Sequence, residues 1–475
     1  MSPSKDTIKV AFSLVFLYRF HERINNMDKI TIKEQNIPVV KESDVVVVGG
    51  GLAGVAAAVA ARRQGASVTL IEKSIVLGGL ATLGHVCIYL PIDDGNGHKV
   101  YGGLAEELLH VCIKYSYDNL PEEWRDKAES APVEAGRYQT NFNIPAAVLA
   151  LDEFVENEGI DVVFDTVFSE PIMEGNTIKG IIVENKSGRT AYMGKMFVDA
   201  SGDADLVYRA GAETETKKTI VSHWFHELDF NIMKRGIDKN SMLHATPLRW
   251  LGLVPSGQAG DENEELTCDG TTSEGVNQYI KLSRGLALDF LKEHQSDDFC
   301  MISMPFMPQF RMTRRLVGNK ELDVSGEIHE DHSIGCVIAS LDKPAVVYEY
   351  PYEGLITDKV SNVLAAGRMA SASGRGWAIM RFIPACVLTG EACGTAAALA
   401  IKNGTTLQDL DIKLLQDTLE KNGVKLHRKP ECEGNINLPK APRPPEPKLA
   451  PGEPNISKLC VHKDPNDTKV AGGGH

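Results

Sequence analysis

The stretch Asp44-Val45-Val46-Val47-Val48-Gly49-Gly50-Gly51-Leu52-Ala53-Gly54 constrains this chain more than any other. Its unbroken β-branched run lacks polar alternation, so it reads as a strand buried on both faces, the kind found inside parallel sheets. Glycines follow at once, and residues 55–63, dense in small side chains, read as a helix. Residues 68–71 form a second buried strand. Strand, glycine turn, helix and strand within about 30 residues make a βαβ unit.

The glycines satisfy G-x-G-x-x-G, which alone is a weak signal because glycine-rich turns are common. Here the motif follows a buried strand, opens a helix, and is answered by Glu72 at the close of the next strand, about 20 residues on. That context assigns a dinucleotide site. Gly49 makes the tight turn, Gly51 lets backbone N–H groups approach a pyrophosphate, and Gly54 allows the helix to pack closely. Leu52 and Ala53 open the helix, whose N-terminus carries partial positive charge. Glu72 would accept hydrogen bonds from both ribose hydroxyls and disfavours a 2′-phosphate.

At 475 residues the chain is too long for one simple core and implies two or three domains. Its 43% apolar and 24% charged residues exclude wholesale disorder, collagen and coiled coil. A net charge of −14 repels phosphate backbones, so nucleic acid is not an expected partner. Nine cysteines with no C-x-x-C pair make neither a disulfide framework nor a zinc ribbon nor an iron–sulfur ligand set, and no metal is expected. Reduced thiols suit a cytoplasmic protein. The apolar residues 10–17 are too few to span a bilayer, which takes roughly 20. Asp6 and the lack of an A-x-A site argue against a signal peptide. Met27 is the expected start, residues 1–26 are dispensable, and no stable membrane insertion is expected.

Further along, residues 141–160 read as a helix capped by Asn141 or Asn143. Short strands are expected at 161–164, 181–184 and 196–198, with a hairpin turning at Glu174-Gly175-Asn176. Residues 213–350 are irregular and aromatic, and βαβ grammar returns at 361–366, followed by a small-residue helix over 384–402. The organisation that follows is an N-terminal extension and lead-in (1–42), a Rossmann-like dinucleotide-binding domain in two parts (43–212 and 355–427), an inserted α+β substrate domain (213–354) and a tail (428–475). That tail holds 9 of the 23 prolines and is expected to be extended or disordered.

Three later segments decide between nicotinamide and flavin. Glu72-Lys73 leads into Gly78-Gly79-Leu80-Ala81-Thr82; Phe197–Asp205 reads F-V-D-A-S-G-D-A-D; and Asn362–Arg368 reads N-V-L-A-A-G-R. On this ordered series the chain resembles the FAD-dependent oxidoreductases of the two-dinucleotide-binding-domain group, over roughly residues 43–415. Within that group it is most similar to a bacterial family related to fumarate reductase and succinate dehydrogenase-type flavoproteins. The resemblance implies non-covalent FAD held by Gly49, Gly51, Leu52, Ala53, Gly54 and Glu72. It puts Lys73, Gly79, Leu80, Ala81 and Thr82 near the ribityl or flavin part and Asp203 near the phosphates. Gly367 and Arg368 would approach the ribityl chain, and the helix start at Pro384 and Ala385 would face the flavin pyrimidine edge.

A flavin performs hydride chemistry itself, so the protein supplies position, charge and a proton. Arg311, Arg314 and Arg315 are the densest basic cluster and could clamp an anion, or simply be salt-bridged at a surface. Arg375 and Arg381 flank Trp377 before the flavin-facing helix, and Arg381 is the strongest single candidate. His85 and His223 are candidate general acids, since an imidazole titrates near neutral pH, although a lone histidine is more often structural. Catalytic roles are thus expected of Arg381, Arg315 and His223. Tyr348, Tyr350 and Tyr352 alternate at strand spacing and read as a packed sheet face. Cys386 and Cys393 stand two helical turns, about 10 Å, apart, which suits core packing rather than a redox disulfide. No second G-x-G-x-x-G follows a strand, so a dedicated NAD(P)H domain is not expected. Electrons would come from the substrate, a transient nicotinamide or a small carrier protein. The expected activity is hydride transfer between flavin N5 and a small, anionic organic substrate. A flavin monooxygenase, a redox-neutral flavoprotein and a non-catalytic FAD-binding module are the alternatives.

Overall fold

A computed structural model describes residues 34–252, 267–325, 328–339, 341 and 345–428. The expected dispensable segment 1–26 and the tail beyond Arg428 lie outside the described residues. The chain divides into two compact units, residues 1–38 and 39–475. Of the first, only 34–38 are described, without regular secondary structure.

In the second unit the βαβ unit forms as β1 (Val39–Val48), α1 (Leu52–Arg63) and β2 (Val68–Ile71). Helices α2 (Leu104–Ile113) and α3 (Ile144–Asn157) follow, then β3 (Asp161–Val163) and the antiparallel strands β4 (Val167–Glu174), β5 (Thr177–Asn185) and β6 (Gly188–Asp199). The Asn143 side chain accepts from the Ala146 N–H at 3.1 Å, which starts α3 at Ile144, three residues inside the expected span. The β4–β5 turn holds Gly175 at φ +60, as a tight hairpin requires. Together these strands form a sheet in the order β3-β2-β1-β6-β5-β4, and β14 (Val363–Ala365) also pairs with β6. The pairs β1·β2, β1·β6, β2·β3 and β6·β14 are parallel. Strand β6 is shared along its length: β5 pairs with residues 188–193 and β14 with residues 197–199.

The valine run behaves as a strand covered on both faces. Val45 and Val47 join the core formed with α1 and with α7 (Ile383–Asn403), whereas Val46 and Val48 join a second core that includes Ile181 and Phe197. Helices α1 and α7 touch through backbone. A Cβ on Gly390 would lie 2.2 Å from the Ala53 carbonyl oxygen, and one on Gly394 would lie 2.0 Å from that of Ala57. Helix α7 is long and apolar enough to cross a membrane, yet 94% of its apolar window is buried in the fold, so it reads as a core helix.

The middle of the chain is more regular than its sequence pattern. After α4 (Asp205–Arg209) and β7 (Thr214–Thr216) come β8 (Ser222–Asp229) and β9 (Leu248–Gly252). Helix α5 (Ser273–Glu293), β10 (Phe299–Ser303) and β11 (Arg314–Leu316) complete the stretch. Strands β9-β8-β10 form an antiparallel sheet. Trp224 faces Trp250 across β8 and β9, their rings stacked 4.7 Å apart. Antiparallel neighbours with aromatic cross-strand pairs leave no βαβ rhythm in the sequence. Beyond them lie β12 (Ser333–Ile338) and β13 (Val347–Pro351), then the short helix α6 (Gly374–Met380). The three alternating tyrosines are buried, with hydroxyls donating to carbonyls: Tyr350 to Ser371 at 2.8 Å and Tyr352 to Leu407 at 2.9 Å. This is a mixed α/β fold on a largely parallel sheet.

Candidate functional site

The glycine loop between β1 and α1 is set by three different demands. Gly49 has φ +106, and a Cβ there would lie 2.4 Å from the Ala200 carbonyl oxygen. A Cβ on Gly54 would lie 1.8 Å from the Gly49 carbonyl oxygen. Gly51 has φ −64 and an added Cβ would meet nothing within 4 Å, so its space is open rather than filled by protein. Helix α1 starts there with no side-chain cap and no acidic residue in its first turn, which leaves its N–H groups for an outside acceptor. Glu72, 4% exposed, accepts from the Gly50 N–H at 2.6 Å and the Ser74 N–H at 2.7 Å. Its carboxylate is thereby fixed against the loop, with lone pairs to spare for hydroxyl donors.

Four other expected segments converge on this loop. The Gly78 N–H donates to the Gly50 carbonyl at 2.9 Å, and a Cβ on Gly79 would lie 3.2 Å from the Gly51 Cα. Residues Gly79–Ala81 make a short 3-10 turn, closed by the Thr82 hydroxyl donating to the Leu77 carbonyl at 2.6 Å. Leu80 is half-buried, and Lys73 is exposed. Gly367, at φ +85, would bring a Cβ within 3.0 Å of the Ala53 Cβ, and its N–H donates to the Thr389 hydroxyl at 2.8 Å. Arg368 pairs with Asp203 at 2.6 Å, tying the segment after β6 to the segment after β14. Helix α7 begins at Ile383 with no side-chain cap, and Pro384 and Ala385 form its first turn. The open cradle at Gly51, two uncapped helix starts and the Glu72 carboxylate together suit a dinucleotide's phosphates and ribose.

The arginines separate. Arg315 is held by Glu215 and, at 3.0 Å, by Glu321, and lies against the Trp377 ring at 5.6 Å. Arg314 stacks 3.9 Å over Tyr208 and faces Asp205 at 3.5 Å. Arg311 differs from both. It is 3% exposed, stacks 4.9 Å from the Trp224 ring, and none of its three guanidinium nitrogens has a hydrogen-bond partner. Arg381 is half-buried, with an enclosed Nε that has no partner. Burial pushes Arg311 down to about 10; burial, then the like charge of Arg311, pushes Arg381 down to about 9. Both stay charged at neutral pH. Of these four arginines, Arg311 and Arg381 are the two without an ion pair. The committed ion pairs of Arg315 account for its charge within the fold.

Histidines gather beside them. His85 follows Gly84 with φ +58, a conformation that costs a non-glycine residue about 1 kcal/mol or more. Its ring lies 5.7 Å from that of His226, and its Nδ1 is buried without a partner, as is Nε2 of His223. His226 contacts Cys87 Sγ at 3.9 Å and the Ser303 hydroxyl at 3.1 Å. The loop is docked onto the middle region: the Phe306 N–H donates to the Leu83 carbonyl at 2.9 Å, and the Gln309 amide donates to the Gly84 carbonyl. Burial pushes all three histidines down to about 4. All three therefore remain neutral at pH 7, and the proton-transfer roles expected of His223 and His85 start from the unprotonated imidazole. Sequence reasoning gave no weight to His226 or Trp224. Their signal was the alternation Trp224, His226 along one face of β8.

Cys386 and Cys393 are free thiols, Cys386 pushed up to about 12 by burial, in keeping with packing rather than redox chemistry.

A family profile described as FAD dependent oxidoreductase matches residues 44–220 and 230–419. A thioredoxin reductase from Ureaplasma parvum is 34% identical over 79 residues, 17% of this chain and 26% of that protein. The tRNA uridine 5-carboxymethylaminomethyl modification enzyme MnmG from Dichelobacter nodosus is 34% identical over 147 residues, 30% of this chain and 22% of that protein. The chain thus matches about a quarter of the length of these curated relatives. Among solved structures, p-nitrophenol 4-monooxygenase from Pseudomonas putida aligns at TM-score 0.41 and 12% identity, covering 82% of this chain and 91% of that one.

Proposed function

The chain belongs to the family of FAD-dependent oxidoreductases, and from that premise we propose that it moves a hydride between the flavin and a small anionic organic substrate bound against Arg311 and Arg381. The observation that carries the reading is the pair of buried guanidiniums, which sense each other's charge and have nitrogens without partners. An isolated buried cation is costly, and two together more so, unless an anion completes the site. A carboxylate matches the planar fork of a guanidinium. Such a pocket also suits the finer kinship with fumarate reductase and succinate dehydrogenase-type flavoproteins.

FAD, when bound, supplies the two-electron chemistry. In this reading Gly49, Gly51 and Gly54 with the start of α1 hold its phosphates, and Glu72 its adenosine ribose. The uncapped start of α7 at Pro384 and Ala385 offers partial positive charge toward the flavin ring. Arg311 and Arg381 fix the substrate anion and Trp224 shields it from water. His223, kept neutral by burial and by the nearby Arg284 charge, takes the proton that leaves the substrate when a C–H bond is oxidised, or returns it in the reverse direction. His85 and His226 stand together, rings 5.7 Å apart, on the Trp224 face of β8. FAD is bound without a covalent link.

Acid precipitation of the purified yellow protein is expected to release the flavin into the supernatant. Anaerobic screening with carboxylates, hydroxy acids and sulfonates is expected to bleach the flavin bands with at least one anion. Reduction by neutral or cationic compounds only, or an unchanged KM for the anion in Arg311→Met, would overturn the proposal. Product hydroxylation coupled to oxygen uptake would instead support a monooxygenase.

A further inference from the structure

A second polar cluster lies away from the dinucleotide loop, at β13. Three chain segments meet there through His329, Glu349 and His427, and one ligand-type atom from each lies within 4.8 Å of the others. The Glu349 side chain is 2% exposed, whereas those of His329 and His427 are 66% and 43% exposed. Nδ1 of His329 and Nδ1 of His427 both stand 2.9 Å from the same oxygen, Oε2 of Glu349. The carboxylate cannot swing away. It accepts from the Glu330 N–H at 2.9 Å and from the Arg428 N–H at 3.1 Å.

Proton counting at His329 is the informative step. Both ring nitrogens face carboxylate oxygens, Nε2 that of Asp331 at 3.2 Å and Nδ1 that of Glu349 at 2.9 Å. With a single ring proton on Nε2, toward Asp331, the Nδ1 lone pair meets a carboxylate oxygen that is acceptor-only. Two lone pairs 2.9 Å apart repel. A cation between them removes the repulsion, and Asp331 then takes the place that an outer carboxylate holds behind a metal-bound histidine. We propose that His329, His427 and Glu349 form a site for a divalent transition-metal ion of the zinc class, with Asp331 orienting His329 from behind.

Two imidazole nitrogens and one carboxylate oxygen are a common zinc ligand set, with bonds of about 2.0–2.2 Å and a fourth position for water. Ligand atoms around a tetrahedral ion of that size stand roughly 3.4 Å apart, so the two nitrogen–oxygen separations of 2.9 Å need only open by a few tenths of an ångström, with the two nitrogens, within 4.8 Å of each other, settling to the same spacing. The exposed imidazoles leave a way in for the ion. The site would staple His427 to Glu349, 78 positions earlier in the chain. Closing so long a loop stabilises the folded state by binding it and not the unfolded chain. The site is independent of the flavin reaction.

The test uses the full-length flavin-loaded protein, stripped with a chelator and titrated with Zn2+ at pH 7.5. Binding is read by competition with a chromophoric chelator and by thermal unfolding. One zinc per chain and a raised unfolding midpoint are expected. His427→Ala, which removes a half-exposed side chain, should weaken binding at least tenfold and abolish the thermal shift. Asp331→Asn should weaken it about tenfold, the lower end for an outer-shell partner. No zinc bound at one equivalent would overturn the proposal. Binding of equal strength in His427→Ala would overturn it as well, by moving the zinc to another place.

Discussion

The two sides of the candidate site are built on opposite principles. On the dinucleotide side, backbone meets backbone: Gly54 against the Gly49 carbonyl, Gly390 and Gly394 against the carbonyls of Ala53 and Ala57. Among the glycines of that loop, Gly51 alone faces open space. On the opposite side the buried groups are polar and incomplete. Arg311, Arg381, His85, His223 and the Trp250 indole all carry a buried nitrogen without a partner. Native folds leave few such atoms, so a concentration of them marks a surface shaped for something other than itself. One side is finished except for a gap of ligand size, and the other is held in a state that costs stability until a ligand arrives.

The sharpest way to break this contrast is to add one methyl group at two positions of the same motif. Gly54→Ala puts a Cβ where the Gly49 carbonyl stands, and neither backbone can retreat. A loss of about 3 kcal/mol or more is expected, read as insoluble or unfolded protein in denaturant melts. Gly51→Ala meets open space at an extended φ. It should cost about 1 kcal/mol or less in stability yet lower FAD affinity at least tenfold, measured by flavin release on dilution. Equal destabilisation by both would mean that the gap at Gly51 is not a ligand cradle.

On the polar side the expected sign is reversed. Arg311→Met removes a buried cation that has no hydrogen-bonded partner, so the substrate-free protein should melt at a higher temperature. Affinity for the anionic substrate should fall roughly a hundredfold, as for truncating one partner of a buried charge pair. Arg381→Met should do the same. Arg315→Met should instead destabilise, because it strands Glu215 and Glu321. Stabilisation in that variant too would erase the distinction drawn among the arginines.

How much of this could be read from sequence follows from contiguity. The strand, glycine loop, helix and Glu72 lie within one βαβ unit, where spacing alone dictates geometry, and the structure forms that unit with the valines buried on both faces. The arginines were visible as a dense run, but their separation was not. Arg314 and Arg315 sit on β11 opposite β7, and Glu215 is the register partner of Arg315. Arg311 precedes that strand and turns toward Trp224. Only pairing between distant strands reveals which of the three lacks an acid. The cluster of His329, Glu349 and His427 was invisible for the same reason, since no ligand spacing joins residues from three segments.

Acid should sharpen the contrast further. For His85, His223 and His226 the folded state keeps the neutral form down to about 4, below the 6.5 of a free histidine. Between those values the unfolded chain binds more protons, so the stability they support is complete above pH 6.5 and is lost as pH falls toward 4. Each of the three groups contributes on the order of a few kcal/mol at most. His85→Asn suits the left-handed backbone and removes one of the three groups, so its melting temperature should fall less steeply than the parent's from pH 6.5 to 4.

The smallest effect lies on the tight side, at a carboxylate its packing has trapped. Glu391 on α7 is 2% exposed and accepts from the Leu104 N–H at 2.8 Å, where α2 begins. Burial pushes its carboxyl up to about 8 from 4.5. Its sign is opposite to that of the histidines: the folded state holds the extra proton, so stability is complete below pH 4.5 and declines as pH rises to 8. Glutamine keeps the acceptor for Leu104 without an ionisation to suppress. Glu391→Gln should therefore melt a few degrees above the parent at pH 8.5 and together with it at pH 4.5. A gain that is the same at both pH values would show that the carboxylate is not desolvated. The packing between α2 and α7 would then be looser than the glycine contacts of α7 imply.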